Sequence, residues 1–346
     1  MQPIFMIGTQ RSGSNLLRLM LNQLTEVASP HPPHILQRLH PLLNHYGDLS
    51  EQSNFDHLVD DVCRLVELNP VAWEDVRLDR GEVASLCRER SLVALHGAVY
   101  DLCAKAWGAN SWCCKSLANI HHIEAIEHYF KNPKYIFLYR DGRDVALSFT
   151  KAVVGEKHIY HIAEKWAKTQ EIALSLKNRI GPERLMSISY EELTADPVGA
   201  GKRLCDFLGL AYSDAMLEYH RSNEARRAAD SSSLWDNVAQ PVMQNNTRKF
   251  MREFSQEDIC IFESVAGHVL DQLGYERVHL SKGEEIAFSE QEIHTFSQEN
   301  ERRKLALREK VDKHDLQRRE RQEALLEEIR TRSSDSRTDT LKASSF

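Results

Sequence analysis

Pro3-Ile4-Phe5-Met6-Ile7-Gly8-Thr9-Gln10-Arg11-Ser12-Gly13-Ser14-Asn15 opens with an apolar run and passes through a glycine-bounded loop into a helix. Five apolar residues closed by glycine predict a buried parallel strand. Beyond the loop, Leu16, Leu17, Met20, Leu21 and Leu24 recur at helical spacing. Strand, glycine loop and helix are the opening of a nucleotide-binding α/β unit. In such a unit the loop N–H groups and the positive helix end face an anion. Gly8 and Gly13 have P-loop spacing, yet Ser14 stands where an NTPase loop carries its lysine. A magnesium-dependent P-loop kinase is thereby excluded, and Arg11 becomes the charged partner of a different anion.

The pattern continues outward as alternating elements. Leu36 to Trp107 predicts several amphipathic helices, broken at Pro32-Pro33 and Asn69-Pro70. Ser111 to Lys115 is a second short strand, and Ile120 to Phe130 a helix. Lys134-Tyr135-Ile136-Phe137-Leu138-Tyr139 is the clearest strand, rich in aromatic and β-branched residues. Helices follow from Asp144 to Val154 and from Ile159 to Ile180, then a strand from Leu185 to Tyr190. Pro197 to Leu208 is a helix stopped by Gly209. The expected fold class is α/β: a P-loop-like three-layer fold, its parallel sheet flanked by helices.

Composition changes after about Tyr275, so residues 1–276 read as the globular domain and 277–346 as a charged helical tail. From Glu290 to Arg332 the chain is dense in Glu, Lys, Arg and Gln. Its sparse apolar positions include Leu305, Leu325, Leu326 and Ile329, and a solvated helix is expected. Such a helix also offers a surface for homo-oligomer formation. Ser333 to Phe346 is Ser/Thr/Asp-rich and expected to be disordered.

Bulk properties narrow the function classes. The 346 residues carry a net charge of −7, which excludes bulk attraction to nucleic acid or anionic membrane; any anion site is built locally. No stretch reaches the roughly 18 uninterrupted apolar residues of a membrane span, and Met1 to Ile7 leaves no room for a leader peptide. The seven cysteines form no C-x-x-C pair and no zinc-type cluster, so no metal is expected. Buried free thiols in a reducing, cytoplasmic setting are the expectation.

A second segment, Tyr139-Arg140-Asp141-Gly142-Arg143-Asp144-Val145-Ala146-Leu147-Ser148, leaves the strongest strand and opens a helix. Arg140 emerges at a strand's carboxyl end, where α/β proteins bind ligands. With Ser148 about two helical turns on, it offers a guanidinium fork and a hydroxyl to a second phosphate. Asp141 and Asp144 are better suited to orienting arginines and capping the helix than to catalysis.

Taken together, Gly8-Thr9-Gln10-Arg11-Ser12-Gly13-Ser14-Asn15 and the Arg140–Ser148 segment resemble two elements of sulfotransferases that use 3′-phosphoadenosine 5′-phosphosulfate (PAPS). The first resembles their 5′-phosphosulfate loop and the second their 3′-phosphate element. The resemblance spans roughly Ile4 to Tyr275 and is closest to the branch with tyrosylprotein sulfotransferases and many bacterial enzymes. It implies that Lys115 neutralises the transferring group and its bridging oxygen. It also places Tyr190 near the adenine, and Arg248 and Lys249 in a late basic loop over the 3′-phosphate.

The tyrosylprotein branch carries a glutamate base shortly after the first helix. Here that stretch is Ser29-Pro30-His31-Pro32-Pro33-His34, without a carboxylate. Histidine is a competent base near neutral pH. His31 and His34 are therefore the candidates, His31 standing nearer the glutamate's place. The expected function is transfer of a sulfonyl group from PAPS to a hydroxyl or amine on a sugar, lipid, peptide or small alcohol, with adenosine 3′,5′-bisphosphate released. A non-catalytic nucleotide-binding scaffold working through the C-terminal helix is the rival; the presence of Lys115 and Arg140 favours the enzyme.

Overall fold

The structure is a computed structural model that describes residues 1–231, 237–244, 246–309 and 320–332. The segment expected to be disordered lies outside these residues. Along the chain run β1 (Gln2–Gly8), α1 (Ser14–Leu21), β2 (Val27–Ala28), α2 (Ile35–Leu39), α3 (Gln52–Glu67), α4 (Arg80–Ser85), α5 (Leu92–Ala106) and β3 (Ser111–Cys114). Next come α6 (Ile123–Tyr129), β4 (Lys134–Tyr139), α7 (Gly142–Lys151), α8 (Ile159–Ile180), β5 (Leu185–Ser189), α9 (Tyr190–Ala195) and α10 (Pro197–Leu208). The helices α11 (Asn223–Ser231), α12 (Phe250–Glu253), α13 (Gln256–Gln272) and α14 (Glu290–Arg308) follow. A last helix, α15, covers 320–332.

The five strands form one sheet in the order β2-β3-β1-β4-β5, and every pairing is parallel. The expected α/β architecture is therefore the observed one. Side chains alternate across the sheet as the pleat requires. Phe5, Ile7, Tyr135 and Phe137 enter one apolar layer; Ile4, Met6, Ile136 and Leu138 enter the layer on the opposite face. Both layers bury their strands, which is why β1 and β4 read as unbroken apolar runs. The chain crosses from β3 to one side of β1 and to β4 on the other. β1 therefore ends at the topological switch point, where such sheets bind ligands.

Gly8 is required at that end. Its φ is 136°, and a Cβ built on it would lie 2.1 Å from the Leu138 carbonyl oxygen of the adjacent strand. Any side chain here would push β1 from β4 or break the turn.

Three features differ from the sequence expectations. β2 has only two residues, too short for periodicity to register. Tyr190 begins α9 instead of ending β5, because Ser189 caps the helix by accepting from the Glu192 N–H at 3.0 Å. Among its described residues, the charged C-terminal segment is helical as expected over Glu290–Arg308 and 320–332, but it is not solvated all round. In α14, Phe296 stacks on His158 with ring centroids 4.4 Å apart. Buried Asn300 accepts the backbone N–H groups of Lys157 and His158 at 2.7 and 3.0 Å.

In α15, Leu325, Leu326 and Ile329 are buried in the same core cluster as Leu36, Leu39, Leu58 and Leu65. Buried Gln322 donates to the Leu65 carbonyl at 2.8 Å. Three apolar side chains within about one helical turn sufficed, because α2 and α3 supply the rest of the layer.

Leu325→Ala is expected to lower unfolding free energy by about 2–4 kcal/mol. Leu305→Ala, at a position 60% exposed on α14, should change it by less than about 0.5 kcal/mol. Urea titration of both variants checks this; equal effects would mean that α15 does not belong to the core.

Candidate active site

The loop after β1 and the start of α7 converge on one cleft of about 810 Å³. Gln10, Arg11, Gly13, Ser14 and Asn15 line it, as do Lys115, Arg140, Ser148, Tyr190 and Lys249. Gly8, Thr9 and Ser12 stand behind that lining. Thr9 Oγ1 accepts from Gln170 of α8 at 2.7 Å, which ties the loop to the helical layer.

Elements 130 residues apart meet directly. Arg11 Nε donates to Ser148 Oγ at 2.8 Å, and Arg140 Nη1 donates to the Arg11 carbonyl at 3.1 Å. Arg11 takes a left-handed φ of 72°, a strained conformation for a side-chain-bearing residue. Arg140 lies over the Tyr190 ring, 4.4 Å from its centroid, and donates to the Asn246 carbonyl at 2.5 Å. The Asn246 side chain in turn donates to Tyr190 Oη at 2.8 Å. The Tyr190 ring also packs on Gly13, where a Cβ would lie 2.4 Å from it.

The aspartates of the second segment are structural. Asp141 caps α7 and receives three hydrogen bonds from Arg143 at 2.8–3.0 Å. Arg143 is buried and paired with Glu263 at 2.7 Å, so it serves the core and not the cleft. Asp144 accepts from the backbone N–H groups of Arg248 and Phe250 at 2.6 and 3.1 Å. It thus fixes the late basic loop through its backbone. The Arg248 side chain is exposed and does not line the cleft, whereas Lys249 does.

Two cations in this region lose part of their hydration to burial. Burial, then the nearby Arg140 charge, lowers the Arg11 pKa. Burial, with Arg18 and Arg11 adding repulsion, pushes Lys115 down to about 7. Arg18, on α1 below the loop, is fully buried and pairs with Glu224 and the Ser29 carbonyl. Among the described residues, Arg11, Arg38, Lys115, Arg140, Lys151 and Lys249 line the cleft with three carboxylates, Asp144, Glu253 and Glu323. In a chain of net charge −7, this is a local excess of positive charge.

The histidines separate. His31 is buried in the wall, its Nδ1 3.4 Å from Asn69 Oδ1, and its carbonyl accepts from Asn69 and Trp73 at 2.8 and 2.7 Å. Burial first, then Lys115, Arg18 and His34, hold its pKa well below the usual histidine value. His34 lines the cleft with Lys115, and its Nδ1 lies 2.9 Å from Ser116 Oγ. A left-handed φ of 60° at the N-terminus of α2 turns it there. The cleft therefore takes His34, not the His31 that the glutamate's place favoured. Proximity in sequence could not register the Pro32-Pro33 corner between them.

Sequence reasoning missed Arg38, Asn246, Glu323 and Leu326. Arg38 had a signal: it follows His34 by four residues, one helical turn, on the same face. Glu323 and Leu326 had none, since their place depends on how α15 docks. Among the described residues no group of three or more His, Cys, Asp or Glu side chains could hold a metal ion. No described helix is long and apolar enough to cross a membrane.

Residues 3–214 match the family model described as the sulfotransferase family. The chain is similar to a protein-tyrosine sulfotransferase of Drosophila melanogaster, 23% identical over 281 residues, covering 79% of this chain and 51% of that protein. It is also similar to protein-tyrosine sulfotransferase 2 of Gallus gallus, 23% identical over 281 residues, covering 79% of this chain and 69% of that protein. The chain thus spans about half the length of the fly relative. Among solved structures it resembles the sulfotransferase domain from the Synechococcus PCC 7002 olefin synthase (TM-score 0.55, 20% identity, 80% of this chain and 95% of that one). It also resembles the sulfotransferase domain from the curacin biosynthetic pathway (TM-score 0.53, 21% identity, 80% and 99%). At these identities the structural likeness concerns the fold.

The depressed Lys115 pKa has a stability consequence whose sign is fixed. Between about 7 and 10.5 the unfolded chain holds this proton and the folded one does not, so this group's contribution to stability rises with pH across that window. Lys115→Met should therefore raise the melting temperature at pH 7, with the gain shrinking toward pH 10. Calorimetric scans at several pH values test this, and a gain that grows with pH contradicts a buried, depressed lysine.

Proposed function

The chain belongs to the sulfotransferase family, and we propose that it moves a sulfonyl group from PAPS to a hydroxyl or amine acceptor, releasing adenosine 3′,5′-bisphosphate. The observation that carries this reading is the junction of Arg11, Arg140 and Ser148 beside Lys115 in one cationic cleft. A nucleotide with phosphate at both ends of its ribose has a partner for each.

The residues present fit such a donor. Arg140 Nε, a donor on the cleft lining, is buried without a partner among the described residues, and buried polar groups are rarely left so. Backbone N–H groups at the start of α1, with Ser14 and Asn15, hold the 5′-phosphosulfate; Arg11 neutralises it. Arg140, Ser148 and Lys249 hold the 3′-phosphate, and Tyr190 offers a face beside the adenine. Arg248 supports that loop through its backbone.

His34 accepts the acceptor's proton as the new bond to sulfur forms. The bond from sulfur to the bridging oxygen of the 5′-phosphate breaks, and its electron pair leaves with the bisphosphate. Lys115 stabilises the negative charge that gathers on that oxygen, held ready by its desolvated position. An anionic donor beside it would favour the ammonium form and raise its depressed pKa. Most of the acceleration comes from positioning and charge stabilisation.

The name of the similar fly and chicken proteins supports a tyrosine-bearing peptide as one acceptor to try, beside sugars, lipids and small alcohols. Seven free cysteines support a reducing, cytoplasmic setting.

Incubation with ³⁵S-labelled PAPS and an acceptor panel tests the reading, with label expected on an acceptor. His34→Ala should then cost about 10²–10⁴ in rate with donor affinity nearly unchanged. Arg140→Ala should chiefly weaken donor binding, as a group that holds ground and transition states alike does. His34→Ala at native rate would remove it as the base, and bisphosphate affinity unmoved by Arg140→Ala would remove that arginine from the donor site.

A further inference from the structure

The family match ends at residue 214, yet α15 supplies two residues, Glu323 and Leu326, to the cleft wall. They stand with α2: Glu323 accepts from Arg38 at 3.1 Å, and Arg38 lies one turn beyond His34 on the same wall. α15 is firmly seated. Besides its buried leucines, Arg64 grips Glu328 with two hydrogen bonds of 2.9 and 2.6 Å, and Arg332 pairs with Asp61 at 2.9 Å.

Resting on the sulfonyl-transfer reading above, we infer that α15 forms part of the acceptor subsite and that Glu323 makes it select neutral acceptors over acidic ones. An excess of cations around the cleft would by itself draw acidic acceptors as well as the donor. Of the three carboxylates that oppose it, Asp144 is committed to the backbone of Arg248 and Phe250 and Glu253 to Lys151. Glu323 is the carboxylate that pairs with α2, at Arg38, one helical turn beyond His34. It occupies Arg38, the cation of α2 that an acidic group near the reacting hydroxyl would otherwise use. An acidic acceptor must displace it and then sit beside it; a neutral one meets no such repulsion. Leu326 beside it gives the acceptor body an apolar contact.

The test compares two probes of equal size, 4-hydroxyphenylacetamide and 4-hydroxyphenylacetate, binding to the full chain saturated with adenosine 3′,5′-bisphosphate. Titration calorimetry on the native protein should show preference for the neutral amide. Glu323→Gln should shift the ratio about three- to tenfold toward the anion, the scale of one partly screened charge at contact range. Glu323→Lys should shift it further. In the native protein, raising salt from about 0.05 to 0.5 M should narrow the preference, a readout that needs no variant. A ratio unchanged by both substitution and salt, or no binding of either probe to either protein, overturns the inference. Failure of the bisphosphate itself to bind is a separate result, which removes the donor reading and this inference with it.

Discussion

The meeting of Arg11 and Arg140, two cations whose charges oppose each other in one cleft, is the constraint on which the rest of the site depends. Like charges do not settle together in a half-dry site unless the fold compels them. Here the compulsion is visible: Arg140 is stacked on Tyr190, anchored on the Arg11 and Asn246 carbonyls and steadied by Asp144 at 3.6 Å. Arg11 is turned inward by its left-handed backbone and fastened to Ser148. Negative charge brought to the cleft would relieve that repulsion, which is how the fold favours an anionic ligand. Lys115, buried in the same cleft and depressed to about 7, adds a third cation under the same constraint.

The sheet delivers these side chains to one place. β1 and β4 are neighbours, their parallel register running from Ile4 opposite Lys134 to Gly8 opposite Leu138. The loop after one and the helix start after the other therefore emerge at the same edge. Parallel pairing across a long connection makes residues 11 and 140 adjacent without any local sequence relation, which is the usual service of this architecture.

This explains how much was legible in the sequence. The strand–loop–helix opening and the Arg140–Ser148 segment each have a local pattern, so the fold class could be read from it, as could residues that meet in the cleft. Lys115 entered through the family resemblance, and its burial needed the packed layers. The His31/His34 choice turned on a left-handed residue after two prolines, a matter of a few dihedral angles that residue types do not encode. Most remote from the sequence was α15. Its charged composition predicted a solvated helix, yet Leu325, Leu326 and Ile329 complete a layer begun by α2 and α3. The same docking brings Glu323 to the cleft. This wall of the cleft is thus built by long-range packing, which no local pattern in the sequence records.

The central claim is that the cleft holds two separate anion elements spanned by one nucleotide. Its most direct measurement is titration calorimetry of the native protein with adenosine 3′,5′-bisphosphate against adenosine 5′-monophosphate. The two ligands differ only in the 3′-phosphate that Arg140 and Ser148 are taken to hold. The account predicts binding of the bisphosphate at least about a hundredfold tighter, the scale of two charge-assisted hydrogen bonds to a phosphate. Equal affinity for the two would contradict it.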